Sequence, residues 1–208
     1  MKNICFINGS LRGKEASSLV FLNCINGMMA DTEFNKDNIN VRAKVKESYP
    51  EDNLKTISHA DAILMVFPLF TYGIPGALMR LLEDFYHYAK GNDYNKAVMV
   101  YIVVNCGFPR PEIMIELIRV MKNFCRRLSL NWRFAICMGG GPVAAITMKA
   151  PLLNMKYKRA FSAIVSDIKN GDNGQKGNYF IKPLIPEPIL LWYKAQYEKK
   201  MKAGATSK

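Results

Sequence analysis

The 208 residues of this chain suffice for one domain with a full hydrophobic core, and 50% of them are apolar. No apolar run approaches the ~20 residues that cross a bilayer, and Met1-Lys2 leads directly into a strand-length apolar run, so we expect neither a membrane span nor a signal peptide. The five cysteines include no Cys-x-x-Cys pair, which argues against a zinc site, an iron–sulfur cluster or a disulfide framework and favours a reducing cytoplasm.

The net charge of +12 is concentrated towards the carboxyl end, where the residues from Lys149 onward include twelve Lys or Arg and four Asp or Glu. Such a surplus can attract nucleic acid, an anionic membrane or phosphorylated ligands. The lysines do not alternate with aromatic residues as they do in nucleic-acid-binding modules. We therefore interpret the charge as a solvated basic surface and expect no nucleic-acid partner.

Apolar runs of strand length alternate with segments of helical periodicity along the first 170 residues. Predicted strands cover residues 3–7, 62–67, 96–104 and 132–138, with a weaker strand at 39–45. Predicted helices cover residues 17–30, 51–58, 75–89, 111–128 and 150–169. Continuously apolar strands indicate a parallel sheet that is covered on both faces. With right-handed crossovers, this α/β pattern predicts a doubly wound, five-stranded parallel sheet in the flavodoxin-like order 2-1-3-4-5.

The last part of the chain exceeds this fold, so we divide the sequence into a domain of residues 1–170 and a carboxyl-terminal extension of residues 171–208. From Asn178 onward, apolar residues alternating with prolines predict an extended arm, and a lysine-rich amphipathic helix is predicted from about Ile189. The extension can pack on its own domain, wrap around a second subunit or lie on an anionic membrane. We favour the first two because proline-rich arms usually dock on protein.

The first predicted turn joins a buried strand to a helix and reads Asn8-Gly9-Ser10-Leu11-Arg12-Gly13-Lys14-Glu15-Ala16-Ser17-Ser18. Unpaired N–H groups and the dipole at a helix start favour a bound anion. The two glycines allow positive φ and close approach, Ser10, Ser17 and Ser18 can donate hydrogen bonds, and Arg12 can bind a phosphate with two. A turn with solvated charges is the alternative. The segment matches neither the triphosphatase pattern Gly-x-x-x-x-Gly-Lys-Ser/Thr nor the dinucleotide pattern Gly-x-Gly-x-x-Gly.

Three further loops should lie along the same edge, because the carboxyl ends of parallel strands meet there. They cover residues 68–76, 105–109 and 139–142. In the first of them, Phe70 and Tyr72 offer flat apolar faces beside backbone amides, which suits a planar heteroaromatic ring. Each loop alone is equally well explained as a tight turn, but together they favour a binding site.

The first turn and the loop of residues 68–76 resemble the corresponding segments of the NAD(P)H-dependent FMN reductase family of flavodoxin-like proteins. The similarity rests on Asn8-Gly9-Ser10-x-Arg12 with Ser17-Ser18, and on Pro68 through Pro75 followed by Leu78-Met79-Arg80. It extends in order and spacing from residue 3 to about residue 141. Arg80 replaces the usual lysine, Leu69 replaces a polar residue of some members, and residues 43–60 lack the cysteines of the iron–sulfur subgroup.

The resemblance implies that the cofactor is FMN, with its phosphate held by Ser10, Arg12, Ser17 and Ser18. It places the isoalloxazine ring against Pro68, Leu69, Phe70, Thr71, Tyr72 and Gly73, and the pyrimidine end of the ring near Asn105, Cys106, Gly107 and Phe108. The implied activity is an oxidoreductase that takes hydride from NADPH or NADH and passes electrons to a small acceptor such as a quinone, nitro or azo compound. A homodimer is the habit of the family.

In such an enzyme the flavin supplies the redox chemistry, and the protein orients it. Backbone N–H groups of residues 71–74 would stabilise charge that develops near N1 of the ring. No acid–base side chain is required for the hydride step, and Tyr72 is the predicted contact with the substrate. His59 and His87, the only histidines, have no metal partner at a useful spacing, so we expect no metal site.

Two other functions stay open at this point. One is a non-catalytic electron carrier of the flavodoxin type, against which the basic charge argues because such carriers are generally acidic. The other is a flavin-free binding or scaffold protein that retains the fold and uses its basic tail as an interaction surface.

Overall fold

The computed structural model describes residues 1–12, 16–41, 47–148, 150, 153–171, 174, 176–183, 188, 192, 195 and 196. The strands of this part are β1 (Lys2–Asn8), β2 (Phe34–Asn40), β3 (Ala62–Pro68), β4 (Met99–Asn105), β5 (Asn131–Met138) and β6 (Tyr179–Ile181). The helices are α1 (Ser17–Gly27), α2 (Glu51–His59), α3 (Gly76–Gly91), α4 (Ile115–Arg127), α5 (Gly141–Thr147) and α6 (Met155–Asn170). A 3-10 turn, Pro111–Met114, precedes α4.

All these strands lie in one parallel sheet in the order β2-β1-β3-β4-β5-β6. The predicted order 2-1-3-4-5 is therefore confirmed, with a sixth strand added at the edge. Strands β3 and β4 are apolar and almost entirely buried. Helices α2, α3 and α4 pack on one face of the sheet, and α1, α5 and α6 pack on the other. The sheet is thus doubly wound, and each face buries its own apolar core.

The edge strand β2 begins earlier than the strand predicted at residues 39–45. Only Phe34 and Ile39 are buried among its seven residues, so the strand lacks the apolar run that marks a buried strand. It pairs with β1 along its whole length, from Lys2 opposite Phe34 to Asn8 opposite Asn40. Backbone pairing with its neighbour, rather than its own side-chain pattern, determines where this strand lies.

The chain after β5 forms two helices, whereas the sequence predicted a glycine loop followed by one helix over residues 150–169. Helix α5 starts at Gly141 and has Pro142 in its first turn, where the missing N–H costs little. Gly140 immediately before it has a φ of 63°, which glycine adopts without strain. A Gly-Pro pair can therefore begin a helix as well as close a loop.

The predicted arm begins as the edge strand β6. Tyr179 lies opposite Ile136 and Ile181 opposite Met138, so this strand extends the sheet beyond β5. Residues 184–187 and most of the helix predicted from about Ile189 lie outside the described residues. None of the described helices has both the length and the apolar character needed to span a bilayer.

A buried ion network ties β4 and β5 to α6. The carboxylate of Asp167, which is fully buried, accepts hydrogen bonds from Nε and Nη2 of Arg133 at 2.7 and 2.8 Å and from the hydroxyl of Tyr101 at 2.7 Å. Nζ of Lys176 lies 2.9 Å from the same carboxylate. Burial acts to raise the pKa of Asp167, but the hydrogen bonds from Arg133, Lys176 and Tyr101 outweigh it and hold the pKa at about 2. The carboxylate therefore stays charged inside the core.

Candidate functional site

A cavity of about 370 Å³ opens at the carboxyl edge of the sheet, where β1, β3 and β4 end. The strand order reverses between β1 and β3, which is where a doubly wound sheet binds its ligands. The cavity is lined by Gly9, Ser10, Leu11, Arg12, Ala16, Ser17, Ser18, Pro68, Leu69, Phe70, Pro75, Asn105, Cys106, Gly107 and Pro142. The loops after β1, β3 and β4 and the starts of α1, α3 and α5 therefore converge on one space.

The buried side chain of Asn8 organises the loop between β1 and α1. Its Oδ1 accepts hydrogen bonds from the backbone N–H of Ser10 at 3.2 Å and from the hydroxyl of Ser18 at 3.4 Å. Its Nδ2 donates to Oδ1 of Asn40 at 3.0 Å, and Oγ of Ser10 accepts from the backbone N–H of Arg12 at 3.3 Å. The sequence analysis gave Asn8 no role of its own, although Asn-Gly after a strand is a turn signal.

Helix α1 points an uncapped amino terminus at the cavity. Ala16 occupies the N-cap position in an extended conformation, and it has no side chain that can accept a hydrogen bond from the first turn. Within the part of the chain that the structure describes, nothing accepts from the backbone N–H groups of Ser17 and Ser18. Such donors are satisfied by capping side chains, by water or by a ligand, so the first turn of α1 can accept hydrogen-bonding oxygens of an anion.

Gly9 allows β1 to approach β3 and α3 closely. A Cβ atom at residue 9 would lie 2.6 Å from Cβ of Phe67 and 2.9 Å from Cδ2 of Leu78. The sequence analysis expected glycines here for both positive φ and close approach; Gly9 has no positive φ, so close approach is its reason. Gly13 lies outside the described residues.

Substitution Gly9→Ala should therefore lower the free energy of unfolding by about 1–3 kcal/mol, because the added methyl group must displace packed side chains. Urea denaturation measures the change. Gly27→Ala is the matched control, since a Cβ atom there meets nothing within 4 Å. Equal stability of the Gly9→Ala variant and the wild type would contradict the close-approach argument.

The loop after β3 contains a two-residue hairpin at its tip. Phe70 and Gly73 exchange backbone hydrogen bonds of 3.0 and 2.8 Å. The central residues Thr71 and Tyr72 have φ values of 49° and 62°, a region that non-glycine residues rarely adopt and that is often found at binding sites. The sequence analysis expected the N–H groups of residues 71–74 to face a ligand, but that of Gly73 is used inside the hairpin.

Tyr72 and Phe108 connect the loops after β3 and β4. Their rings stack with centroids 6.2 Å apart and planes 19° apart, and both side chains are exposed. Neither residue lines the cavity, although Phe70 and Gly107 of the same loops do. The pair forms an aromatic contact outside the cavity wall.

The loop after β4 is hydrogen-bonded to the glycine turn after β5. The N–H of Cys106 donates to the carbonyl of Met138 at 3.0 Å, and the N–H of Gly141 donates to the carbonyl of Cys106 at 2.7 Å. A Cβ atom at Gly139 would lie 2.4 Å from the carbonyl oxygen of Pro109. The glycines let these two loops pack backbone against backbone, and this packing brings Pro142 to the cavity.

The side chains of His59, Cys125 and Cys137 do not line the cavity. Nδ1 of His59 is 2.8 Å from the carbonyl oxygen of Lys55, on the helix that precedes β3. Burial raises the pKa values of the Cys125 and Cys137 thiols to about 12, so they stay protonated. No group of His, Cys, Asp or Glu side chains within the described part of the chain is arranged to hold a metal ion.

Most of the residues predicted from the sequence meet at the cavity. Those that line it are Ser10, Arg12, Ser17, Ser18, Pro68, Leu69, Phe70, Asn105, Cys106 and Gly107. Thr71, Tyr72, Gly73 and Phe108 lie in the same loops but not in its wall. The predicted set omitted Gly9, Leu11, Ala16, Pro75 and Pro142. All five lie in the turn of residues 8–18 or in the loops that the sequence predicted at this edge, and Gly9 was expected there for close approach, but their side chains carry no polar group that would have marked them as ligand contacts.

No protein-family model and no curated protein matches this sequence. Solved structures do match. The general stress protein 14 of Treponema denticola in complex with FMN superposes with a TM-score of 0.60 and 14% identity, over 81% of this chain and 99% of that one. The NAD(P)H:quinone oxidoreductase of Methanothermobacter marburgensis gives a TM-score of 0.58 and 13% identity, over 84% and 98% of the two chains.

The fold is flavodoxin-like. A third structure, described as the NADPH-quinone reductase of P. pentosaceus, agrees with a TM-score of 0.55 at 13% identity over 84% of this chain and 99% of that one. At such low identity the comparisons show the flavodoxin-like architecture, as the resemblance in the sequence implied.

Proposed function

We propose that the protein binds FMN in this cavity and catalyses NAD(P)H-dependent reduction of a small acceptor such as a quinone, nitro or azo compound. The observation that carries the proposal is that the cavity has two chemically different ends. The uncapped start of α1 with Ser10 and Arg12 suits an anionic group, and the loops at 68–70 and 106–107 offer an apolar surface. The flavodoxin-like structures named as an FMN complex and as NAD(P)H reductases support it.

The residues present fit a flavin mononucleotide on structural grounds. The backbone N–H groups of Ser17 and Ser18 are left for a phosphate. The side chain of Asn8 holds the Ser18 hydroxyl and the N–H of Ser10, and so fixes the loop around them. The absence of a side chain at Gly9 keeps the loop close to the sheet edge. The cavity volume of about 370 Å³ lies in the range of small-molecule sites.

In this proposal, each part of the cavity has one task. Ser10, Arg12, Ser17 and Ser18 bind the phosphate, and Pro68, Leu69 and Phe70 line the ring. FMN, when bound, supplies the hydride and electron transfer. Backbone N–H groups of Thr71, Tyr72 and Ile74 stabilise negative charge at the pyrimidine side, the N–H of Gly73 being engaged elsewhere. Tyr72, whose exposed ring lies beside the cavity wall, contacts the acceptor. The predicted homodimer and cytoplasmic location belong to the same proposal.

The purified protein should be yellow or should take up FMN, with a shift in the flavin absorption spectrum on titration. With FMN bound, it should consume NADPH or NADH steadily when a quinone is added. Flavin uptake without steady consumption would indicate an electron carrier instead. A protein that takes up no flavin would contradict the proposal and favour a flavin-free binding role.

A further inference from the structure

A second cavity, of about 280 Å³, lies between helix α1 and the strands β1 and β2. Its wall contains five asparagines, which are Asn8, Asn23, Asn26, Asn38 and Asn40. Among the described residues that line it, none carries a charge and none also lines the cavity at the carboxyl edge of the sheet. The second cavity is therefore a separate space, and carboxamides supply its polar groups.

Helix α1 contributes one continuous face to this cavity. Leu19, Leu22, Asn23 and Asn26 follow one another at intervals of three, one and three residues, so they lie on the same side of the helix. A helix that packs on a sheet usually presents an apolar face at such positions. Here the face changes from leucine to asparagine after the first turn, and the contact between helix and sheet stays open.

The strands contribute the opposite wall. Asn38 and Asn40 are two residues apart in β2, so their side chains lie on the same side of the sheet. The register of the parallel pair places Asn38 beside Phe6 and Asn40 beside Asn8 in β1. Nδ2 of Asn8 donates to Oδ1 of Asn40 at 3.0 Å. Two of the five carboxamides are thus paired with each other.

The other three carboxamides are left for a ligand. The side chains of Asn23, Asn26 and Asn38 make no hydrogen bond within the described residues. Oδ1 of Asn26 is also buried, and an unpaired buried amide oxygen is unfavourable for folding. Rotation about the last torsion of the side chain exchanges its donor and its acceptor, so each of these groups can offer either one.

The chemistry of the wall defines the class of ligand. A carboxamide both donates and accepts, and so does a hydroxyl group. A charged ligand would find no counter-charge among the described lining residues, whereas Phe6, Leu19 and Leu22 offer apolar surface to C–H groups. The volume lies just below the ~300 Å³ at which sites for small molecules begin, so the ligand is a single ring.

We propose that this cavity is a second binding site, which takes a small uncharged polyhydroxylated compound of monosaccharide size. A sugar ring carries hydroxyl groups around its edge and C–H groups on its faces, and the wall offers carboxamides and apolar side chains for both. The side chains of Asn23, Asn26 and Asn38 form its hydrogen bonds.

The test uses the full chain labelled with nitrogen-15, and its probes are glucose, galactose, mannose and ribose. At least one of these sugars should shift the side-chain amide signals of Asn23, Asn26 and Asn38 in a saturable manner. Cyclohexanol, which keeps a six-membered ring but has a single hydroxyl group, should not shift them, because a site that hydrogen-bonds several hydroxyl groups rejects an analogue without them.

Asn26→Leu keeps the approximate size of the side chain and removes its polar atoms. It should weaken binding of the sugar by about fivefold, the loss that a single neutral hydrogen bond gives. The denaturation midpoint of the sugar-free protein should not fall, because the substitution removes no hydrogen bond that the described part of the chain makes. A purely structural asparagine would behave in the opposite way.

Asn38→Ala and Asn35→Ala form a matched pair on strand β2, since both residues are exposed. Asn38 lines the cavity, whereas Asn35 does not and its Nδ2 donates to Oδ1 of Asn3 at 3.0 Å. Asn38→Ala should weaken the sugar by about fivefold, and Asn35→Ala should leave its affinity unchanged.

Two results would overturn the proposal. If none of the four sugars shifts these amide signals, the cavity holds only water. If a sugar binds but Asn26→Leu and Asn38→Ala both keep the wild-type affinity, the sugar occupies another place on the protein. The experiment contains no flavin and no nicotinamide, so its outcome is independent of the proposed function.

Discussion

Substitution Asp167→Asn is expected to lower the free energy of unfolding by about 3–5 kcal/mol at neutral pH, because it leaves the buried guanidinium of Arg133 without its counter-charge. Arg133 is 6% exposed and is bound to Asp167 through two nitrogens, while Lys176 and Tyr101 contact the same carboxylate. Removing the charge disturbs all three partners at once. Urea denaturation of both proteins at pH 7 measures the difference.

Glu116→Gln is the control, since the Glu116 carboxylate pairs with Arg119 on the surface, where both side chains are largely exposed. Exposed pairs contribute at most about 1 kcal/mol. If Asp167→Asn were no more destabilising than Glu116→Gln, the buried network would not contribute to the stability of the fold.

The same network predicts how stability depends on pH. The carboxyl group of Asp167 has a pKa of about 2 in the folded protein and 3.8 as its ordinary value. The unfolded chain therefore binds the proton more readily, and stability falls as the pH falls. The contribution, about 2 kcal/mol, is complete above about pH 5 and is lost as the pH approaches 2. The stability gap between wild type and Asp167→Asn should narrow over this interval, and a constant gap would contradict the assignment.

Substitution Arg12→Ala should weaken FMN binding by about 10- to 100-fold, the loss expected for a charge-assisted hydrogen bond. Arg12 lines the cavity beside Ser10 and the uncapped start of α1, so we expect its guanidinium to meet the phosphate. Riboflavin, which has no phosphate, should bind the variant and the wild type equally well. Calorimetric titration with the two ligands measures both constants.

Arg119→Ala is the matched control for this experiment. It removes one positive charge from an exposed surface pair and should leave both affinities unchanged. Raising the salt concentration should weaken FMN binding by the wild type more than by Arg12→Ala. Equal losses of FMN and riboflavin in Arg12→Ala would show that Arg12 contacts some part of the ligand other than the phosphate.

Local sequence predicted a strand or helix correctly where the residues of that element determine its own burial. The apolar runs of β3 and β4 predict strands that are buried on both faces, and they lie within a few residues of the predicted bounds. The edge strand β2 was misplaced because pairing with β1, not its own polar residues, determines its position. Helix α5 was missed because Gly141-Pro142 has the local character of a loop.

The residues of the candidate site also include some that local sequence could predict and some that it could not. The serines and Arg12 of the first loop could be predicted, since turn and helix-start chemistry is local. The role of Asn8 could not, because its partners Ser18 and Asn40 lie ten and thirty-two positions away. The rings of Tyr72 and Phe108, from two separate loops, meet only because β3 and β4 are neighbours in the sheet.

By itself the sequence determined the alternation of strands and helices, the parallel order of the first five strands and the loops that meet at one edge, because the lengths of apolar segments and the turn residues between them set these features. Only the tertiary structure decided that Gly9 faces Phe67, that Gly141 makes room for Asn105 and that Asp167 is bound by Arg133, Tyr101 and Lys176. The physical reason is that these contacts join residues distant in sequence, whose distances and unpaired atoms exist only after the chain has packed.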